Sequence, residues 1–346
     1  MDKSKIIVIV LCVLLIISIG ALAVLMSKSS TNDDKRFKGI KIIFFTGGRE
    51  GDSFGSVVYN GAKAAQEDLG CDVEYVYSDW NSDKMVAQFK DAIAKNPDAI
   101  CVMGHPGEDA LKPLIDEALR KGIIVTAQNV DLPTLRKTYA AQGFGYVGQD
   151  LYSSGTFLAE GTIKKFNLKS GDKAIIFGPY GENFNRSTVD TNSRAMRGVG
   201  VMDTMQKAGI TVYVVNLPDS VNADAFTGDK MVSDALVKYP DAKVLVADHG
   251  QLTGAMPAIL KKLGKSPGEY IVIGFDLSTD TVAGLRDGYI GLVHDQQPYL
   301  QGYLPILQAS LAKKYGFSGL YIDTGVGLID SSNVETVAKL AEQKIR

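Results

Sequence analysis

Residues 39–69, GIKIIFFTGGREGDSFGSVVYNGAKAAQEDL, decide the fold. The first eight form an apolar run rich in Ile and Phe, short enough for a buried strand. Glycines and polar residues follow, and then Val58, Ala62, Ala65 and Leu69 recur at helical spacing. A doubly buried strand leading into an amphipathic helix is half of a parallel βαβ unit. The alternation continues with DVEYVY, AICVM, IIVTA and GYVG as strands, while Val86, Phe89 and Ile93, then Leu111, Leu114 and Ala118, mark helices. A second series repeats the scheme: KAIIFG, TVYVV, KVLVA, YIVIGF and IGLVH, with helices expected near 192–208, 229–238, 251–263 and 279–287. The spacing predicts two similar α/β lobes, joined near Val147-Gly148-Gln149-Asp150, where a strand runs straight into a helix.

A chain of 346 residues suits two domains of ordinary size. Hydrophobic residues at 45% and charged residues at 22% are the averages of globular chains, which excludes wholesale disorder and a multi-span membrane protein. A net charge of -2 lacks the basic excess that a phosphate backbone demands, so nucleic acid is not an expected partner. Cys12, Cys71 and Cys101 show no CxxC pairing and name no redox compartment. Cys71 and Cys101 fall at strand positions and read as small buried hydrophobes.

Ile6 to Met26 is a run without charge, preceded by Lys3 and Lys5 and followed by the polar stretch SKSSTNDDKRFK. It is long enough to cross a bilayer as a helix and exceeds the usual apolar core of a cleaved signal. Ala21-Leu22-Ala23 offers a small-residue cleavage pattern, so a signal peptide and a retained anchor both remain open. No lipidation cysteine ends the run. Either way, everything after about residue 30 is expected to be exported.

In parallel sheets, ligands bind beyond the carboxyl ends of the strands. In the first lobe those ends carry Thr46 to Phe54, Ser78-Asp79-Trp80-Asn81, Gly104-His105 and Gln128-Asn129. In the second they carry Gly178 to Asn183, Asp248-His249, Phe275-Asp276 and His294-Asp295-Gln296-Gln297. Carboxylates, amides, an arginine and aromatic rings together suit a small neutral polyol: planar polar groups take hydroxyls and ring faces take C–H edges. Motifs of catalysis are missing. There is no GxSxG, no HExxH and no GxxxxGK[ST], and Gly47-Gly48-Arg49-Glu50-Gly51 lacks the dinucleotide pattern. His105, His249 and His294 follow strands, so metal or acid/base work, hydrogen bonding to a ligand and plain structural roles all stay open. Trp80, the sole tryptophan, is either a wall of the cleft or a loop-packing residue.

Several linked stretches carry a family resemblance: Asp52-Ser53-Phe54, Asn96-Pro97-Asp98-Ala99-Ile100, Gly122-Ile123-Ile124-Val125, Val147-Gly148-Gln149-Asp150, Arg197-Gly198-Val199-Gly200, Val272-Ile273-Gly274-Phe275-Asp276 and Asp295 to Tyr303. In this order and spacing the chain, from about Gly39 to Asp330, resembles the ribose-like sugar-binding proteins of ABC importers, the type I periplasmic binding proteins. The resemblance implies two Rossmann-like lobes with parallel sheets and three hinge crossings, near 149, 295 and 324. It divides the chain into an anchor and tether (1–37), one lobe (38–148 with 297–323) and a second lobe (149–296 with 324–346).

The same resemblance implies a monosaccharide or polyol held between the lobes by Phe54, Asn129, Arg197, Asp248, Asp276 and Gln296, and the strand ends add Asp52, Trp80 and His105 as candidate ligand contacts. Arg194, one helical turn from Arg197, is the alternative ligand arginine. Asn129 stands where the family usually has an aspartate, Ser53 replaces an aromatic residue, and an insertion at Gly181 to Asn192 remodels one wall. The implied partner is an ABC permease, with no cofactor, no catalytic step and a monomeric chain outside the cytoplasmic membrane. A sensory receptor subunit for a membrane kinase or chemoreceptor, or a purine nucleoside between Phe54, Trp80 and Tyr180, are the alternatives.

Overall fold

A computed structural model describes residues 35–346 except 182–183, 187–188, 190–194 and 219. The apolar run with Cys12, Arg194 and most of the expected insertion lie outside the described residues. Among the described residues no helix is long and apolar enough to cross a membrane.

In chain order the first series is β1 (Lys41–Phe45), α1 (Ser53–Leu69), β2 (Asp72–Val76), α2 (Ser82–Ala94), β3 (Ala99–Met103), α3 (Glu108–Arg120), β4 (Ile124–Asn129), α4 (Pro133–Tyr139) and β5 (Gly145–Gly148). The second begins with α5 (Leu151–Phe166), β6 (Lys173–Gly178), α6 (Ala195–Lys207), β7 (Thr211–Asn216), the single turn α7 (Ser220–Ala223) and α8 (Asp229–Lys238). It continues with β8 (Val244–Ala247), α9 (Gly250–Lys262), β9 (Ile271–Phe275), α10 (Thr279–Arg286) and β10 (Ile290–Asp295). A closing segment adds α11 (Pro298–Tyr315), β11 (Tyr321–Asp323), β12 (Gly327–Ile329) and α12 (Glu335–Glu342).

The strands form two six-stranded sheets of matching order, β11-β5-β4-β3-β1-β2 and β12-β10-β9-β8-β6-β7. All neighbours are parallel except β12, which runs antiparallel to β10. The chain thus adopts the expected two-lobed α/β fold. β11 and β12 escape periodicity because three residues at a sheet edge show no repeat.

Each lobe borrows a helix across the hinge. After β5 the chain leaves the first sheet, and α5 packs on α6 and β10 of the second lobe; after β10 it returns, and α11 packs on α1, β3, β4 and β5. Both exchanged helices lie so close to their partners that glycine is required at the crossings. A Cβ on Gly61 would overlap the Tyr299 carbonyl oxygen, and one on Gly302 that of Val58. Likewise a Cβ on Gly155 would overlap the Arg197 carbonyl oxygen, and one on Gly200 that of Tyr152. Apolar side chains from both faces of each sheet fill the cores, with Phe44, Phe45, Phe89, Ile100 and Met103 in the first lobe and Phe177, Leu245, Met256, Phe275 and Val246 in the second. Cys101, inside β3, and Cys71, just ahead of β2 and not in the strand as expected, are both buried and free, as small hydrophobes would be.

Candidate ligand-binding cleft

β4 and β9 occupy the same place in the two strand orders, and each is followed by the same backbone device. Asn129 closes β4 at φ 65° and Asp276 follows β9 at φ 70°. Asn and Asp tolerate this left-handed conformation because a short polar side chain can bond locally. The turn takes the chain off the sheet at its carboxyl edge, where a parallel sheet offers its ligand site.

Gln296 joins these two positions from the second crossing. Its amide Nε2 donates to Asp276 Oδ1 at 2.5 Å, and its Oε1 accepts from Asn129 Nδ2 at 3.3 Å. Gln301, fully buried in the first turn of α11, extends the network: its Oε1 accepts from Asn129 at 2.9 Å, and its Nε2 donates to the Gln296 carbonyl (3.0 Å) and to Thr324 Oγ1 in the third crossing (3.1 Å). Thr324 N in turn donates to Gly148 O of the first crossing at 2.9 Å. All three crossings are therefore hydrogen-bonded to one another and to one candidate ligand residue from each lobe. Gln301 was not singled out by sequence reasoning, because a glutamine in a helix reads as a solvent-facing residue.

The first lobe supplies an aromatic wall. Asp52 caps α1 by accepting from Gly55 N, and its Oδ2 also accepts from Arg49 N (3.1 Å) and from Trp80 Nε1 (3.0 Å). Burial pushes its carboxyl above the usual range, against the lowering effect of those hydrogen bonds. The indole so held lies 5.8 Å from the Phe54 ring and 5.5 Å from that of His105, centroid to centroid. The two Asp52 oxygens thus accept three hydrogen bonds inside the lobe, and one of them holds Trp80 in place.

The second lobe supplies charge. Arg197, on α6, is 97% buried, since only 3% of its surface is exposed, and its guanidinium carbon lies 4.4 Å over the Phe275 ring. Asp248, following β8, is 1% exposed, and its Oδ1 shares a hydrogen bond with His249 Nδ1 at 2.6 Å. His294 is buried against Phe275, with Nε2 2.9 Å from the Gly325 carbonyl of the third crossing. Burial holds His294 below its ordinary value; Asp276 and Asp295 pull it up, and Arg197 pushes it further down. These three histidines are dispersed, and among the described residues no cluster of three or more His, Cys, Asp or Glu is placed to hold a metal ion.

The expected site residues thus fall into three groups: Phe54, Trp80 and His105 with Asp52 behind them; Asn129, Gln296 and Asp276 across the hinge; Arg197 and Asp248 in the second lobe. Beside the crossings opens a cavity of about 520 Å³, lined by Asp131 and Arg136 from the first lobe and Tyr152 and Met196 from the second. Tyr180, the third ring of the nucleoside alternative, packs against Phe184 at 5.3 Å and is 7% exposed.

Residues 43–314 match the model of the periplasmic binding protein domain. The chain belongs to the periplasmic binding protein family. A curated relative, the xylose/arabinose-binding protein XylF of Sulfolobus acidocaldarius, is 28% identical over 283 residues, which are 77% of this chain and 65% of the relative. The chain therefore spans just under two thirds of that relative's length. Among solved structures, a solute-binding protein of an ABC transporter from Burkholderia graminis, in complex with D-arabinose, superposes with a TM-score of 0.72 at 24% identity, covering 86% of this chain and 98% of that one. A carbohydrate transporter protein from Acidothermus cellulolyticus, in complex with myo-inositol, gives 0.70 at 24% identity, covering 89% and 99%. These likenesses establish that the family's two-lobed fold is shared.

Proposed function

We propose that the chain captures a monosaccharide or polyol outside the cytoplasmic membrane and delivers it to an ABC permease by hinge closure. The observation that carries this reading is the Asn129–Gln296–Asp276 bridge. Polar groups of both lobes meet at the hinge, the first lobe carries an aromatic wall, and the second carries a buried arginine and aspartate. A ring lying on Phe54 and Trp80 would present hydroxyls to Asn129, Asp248, Asp276 and Gln296, while Arg197 would donate to ring or hydroxyl oxygens. Closure would exclude water from these bonds and strengthen them. The moving bodies would be residues 38–148 with 297–323 and residues 149–296 with 324–346, and no covalent step is needed.

The names of the relatives support the ligand class: one binds xylose and arabinose, and the two solved structures hold D-arabinose and myo-inositol. Export, with Ile6–Met26 retained as a membrane anchor, completes the proposal, and the chain acts as a monomer. A thermal-shift panel of pentoses, hexoses, cyclitols and purine nucleosides tests the site. Stabilisation by a sugar or cyclitol is expected, and a response confined to nucleosides would replace the reading. Recovery of the intact chain in the cytosolic fraction would refute export.

A further inference from the structure

The end of the first lobe remote from the cleft carries a surface that ligand capture does not use. Helices of parallel βα units return to the amino ends of the strands, and there the last turns of α1 and α11 meet residues 35–38. Phe37 N donates to the Leu69 carbonyl at 3.1 Å, and the Tyr315 ring stands 6.3 Å from that of Phe37 and 6.0 Å from that of Phe317. Tyr315 is 44% and Phe317 58% exposed.

Arg36 and Lys314 flank these rings, the guanidinium 5.6 Å from the Tyr315 centroid and the ammonium 5.4 Å from that of Phe37, and Lys35 and Lys38 neighbour Arg36 and Phe37 in the chain. Arg36 Nε donates to the Tyr315 hydroxyl at 3.1 Å, the Lys314 ammonium to the Arg36 carbonyl, and the Lys35 ammonium to the Glu67 carbonyl. Those acceptors are neutral, so the hydrogen bonds leave the positive charge in place. The Glu67 carboxylate pairs instead with Lys63, at 3.8 Å. Lys314 would also balance the dipole of α11, but residues 35–38 belong to no helix and Phe317 lies beyond α11. Cations flanking exposed aromatic rings suit the headgroup layer of an anionic bilayer, where amphipathic rings and Lys or Arg side chains both gain.

Chain length decides between a lipid surface and a distant partner. The apolar run ends at Met26, and residues 27–34 are all that separate it from Lys35. Eight residues reach about 28 Å at most when fully extended. We propose that this pole of the first lobe rests on anionic lipid headgroups, leaving the cleft on the aqueous side. The inference rests on the reading that Ile6–Met26 is a retained span.

The test uses the full chain carrying Phe317→Trp, reconstituted into vesicles with brominated acyl chains, with the parent chain and its single Trp80 as reference. Emission from position 317 should be quenched severalfold more than that from Trp80 in phosphatidylglycerol-containing vesicles. That excess should disappear in pure phosphatidylcholine, at high ionic strength, and in the Arg36→Glu, Lys314→Glu double variant. Equal quenching of the two positions in anionic vesicles, with the chain co-floating with them, would overturn the inference and leave the anchor intact. A chain that fails to float with the vesicles would refute the retained span, and this inference with it.

Discussion

Gln296 donates to Asp276 at 2.5 Å and accepts from Asn129 at 3.3 Å, so a single hinge side chain touches a candidate ligand residue of each lobe. Opening the lobes must lengthen or break one of these bonds, and the geometry makes Gln296 both a candidate ligand contact and a restraint on the hinge. Gln296→Leu leaves the Asp276 carboxylate without its amide donor. Affinity for whichever sugar the panel identifies should fall by about ten- to a hundredfold, the worth of a hydrogen bond to a charged group. Isothermal titration that finds the affinity unchanged would remove Gln296 from the site.

Arg197 is buried over Phe275, on the lobe that also carries the candidate ligand residues Asp248 and Asp276. Arg197→Ala should weaken sugar binding by about 1.5–3 kcal/mol. Arg197→Lys should recover only part of the loss, since a lysine cannot reproduce the planar fork. Equal affinities for the two variants would contradict a guanidinium-specific contact.

Gly155 permits α5 to lie against the carbonyl of Arg197. In Gly155→Ala the added methyl must push the two helices apart, at a cost of about 1–3 kcal/mol for overpacking. The denaturation midpoint should drop, and sugar affinity with it, because α6 carries Arg197. A variant as stable as the parent would show that the helix pair yields freely at this point.

His294 links stability to pH with a definite sign. Its folded value lies below the ordinary 6.5, so the unfolded chain binds the proton first as the pH falls. The contribution of neutral His294 is complete above 6.5 and is lost as the pH drops from there towards the lower folded value. Unfolding free energy measured from pH 8 to pH 5 should decline in that window, and His294→Gln should flatten the decline. An unaltered pH profile in the variant would count against a buried neutral imidazole.

Trp80 is the only tryptophan and sits in the aromatic wall between Phe54 and His105. Ligand titration should therefore change the protein's indole emission. Trp80→Phe should abolish the signal and weaken binding while calorimetry still detects a complex. Emission indifferent to a ligand that calorimetry shows to bind would place the ring outside the cleft.

The amino-acid order by itself determined the α/β class and the two series of five strands, because runs such as KIIFF and AICVM, alternating with helical periodicity, are apolar and short enough for buried parallel strands, while the three crossings were implied by the family resemblance. It also marked the strand ends, which are set by local periodicity and by the rule that parallel sheets bind ligands at one edge. Tertiary structure alone decided which of those ends converge. Nothing in the spacing of Asn129, Gln296 and Gln301 tells that a hinge brings them within hydrogen-bonding distance, since the contacts span 167 and 172 residues. The tie between Asp52 and Trp80 has the same origin: only the folded chain shows that the indole, 28 residues on, donates to the carboxylate that also caps α1. Periodicity is a local property of the chain, whereas a cleft is made by residues distant in sequence, and close packing across the hinge settles which of them meet.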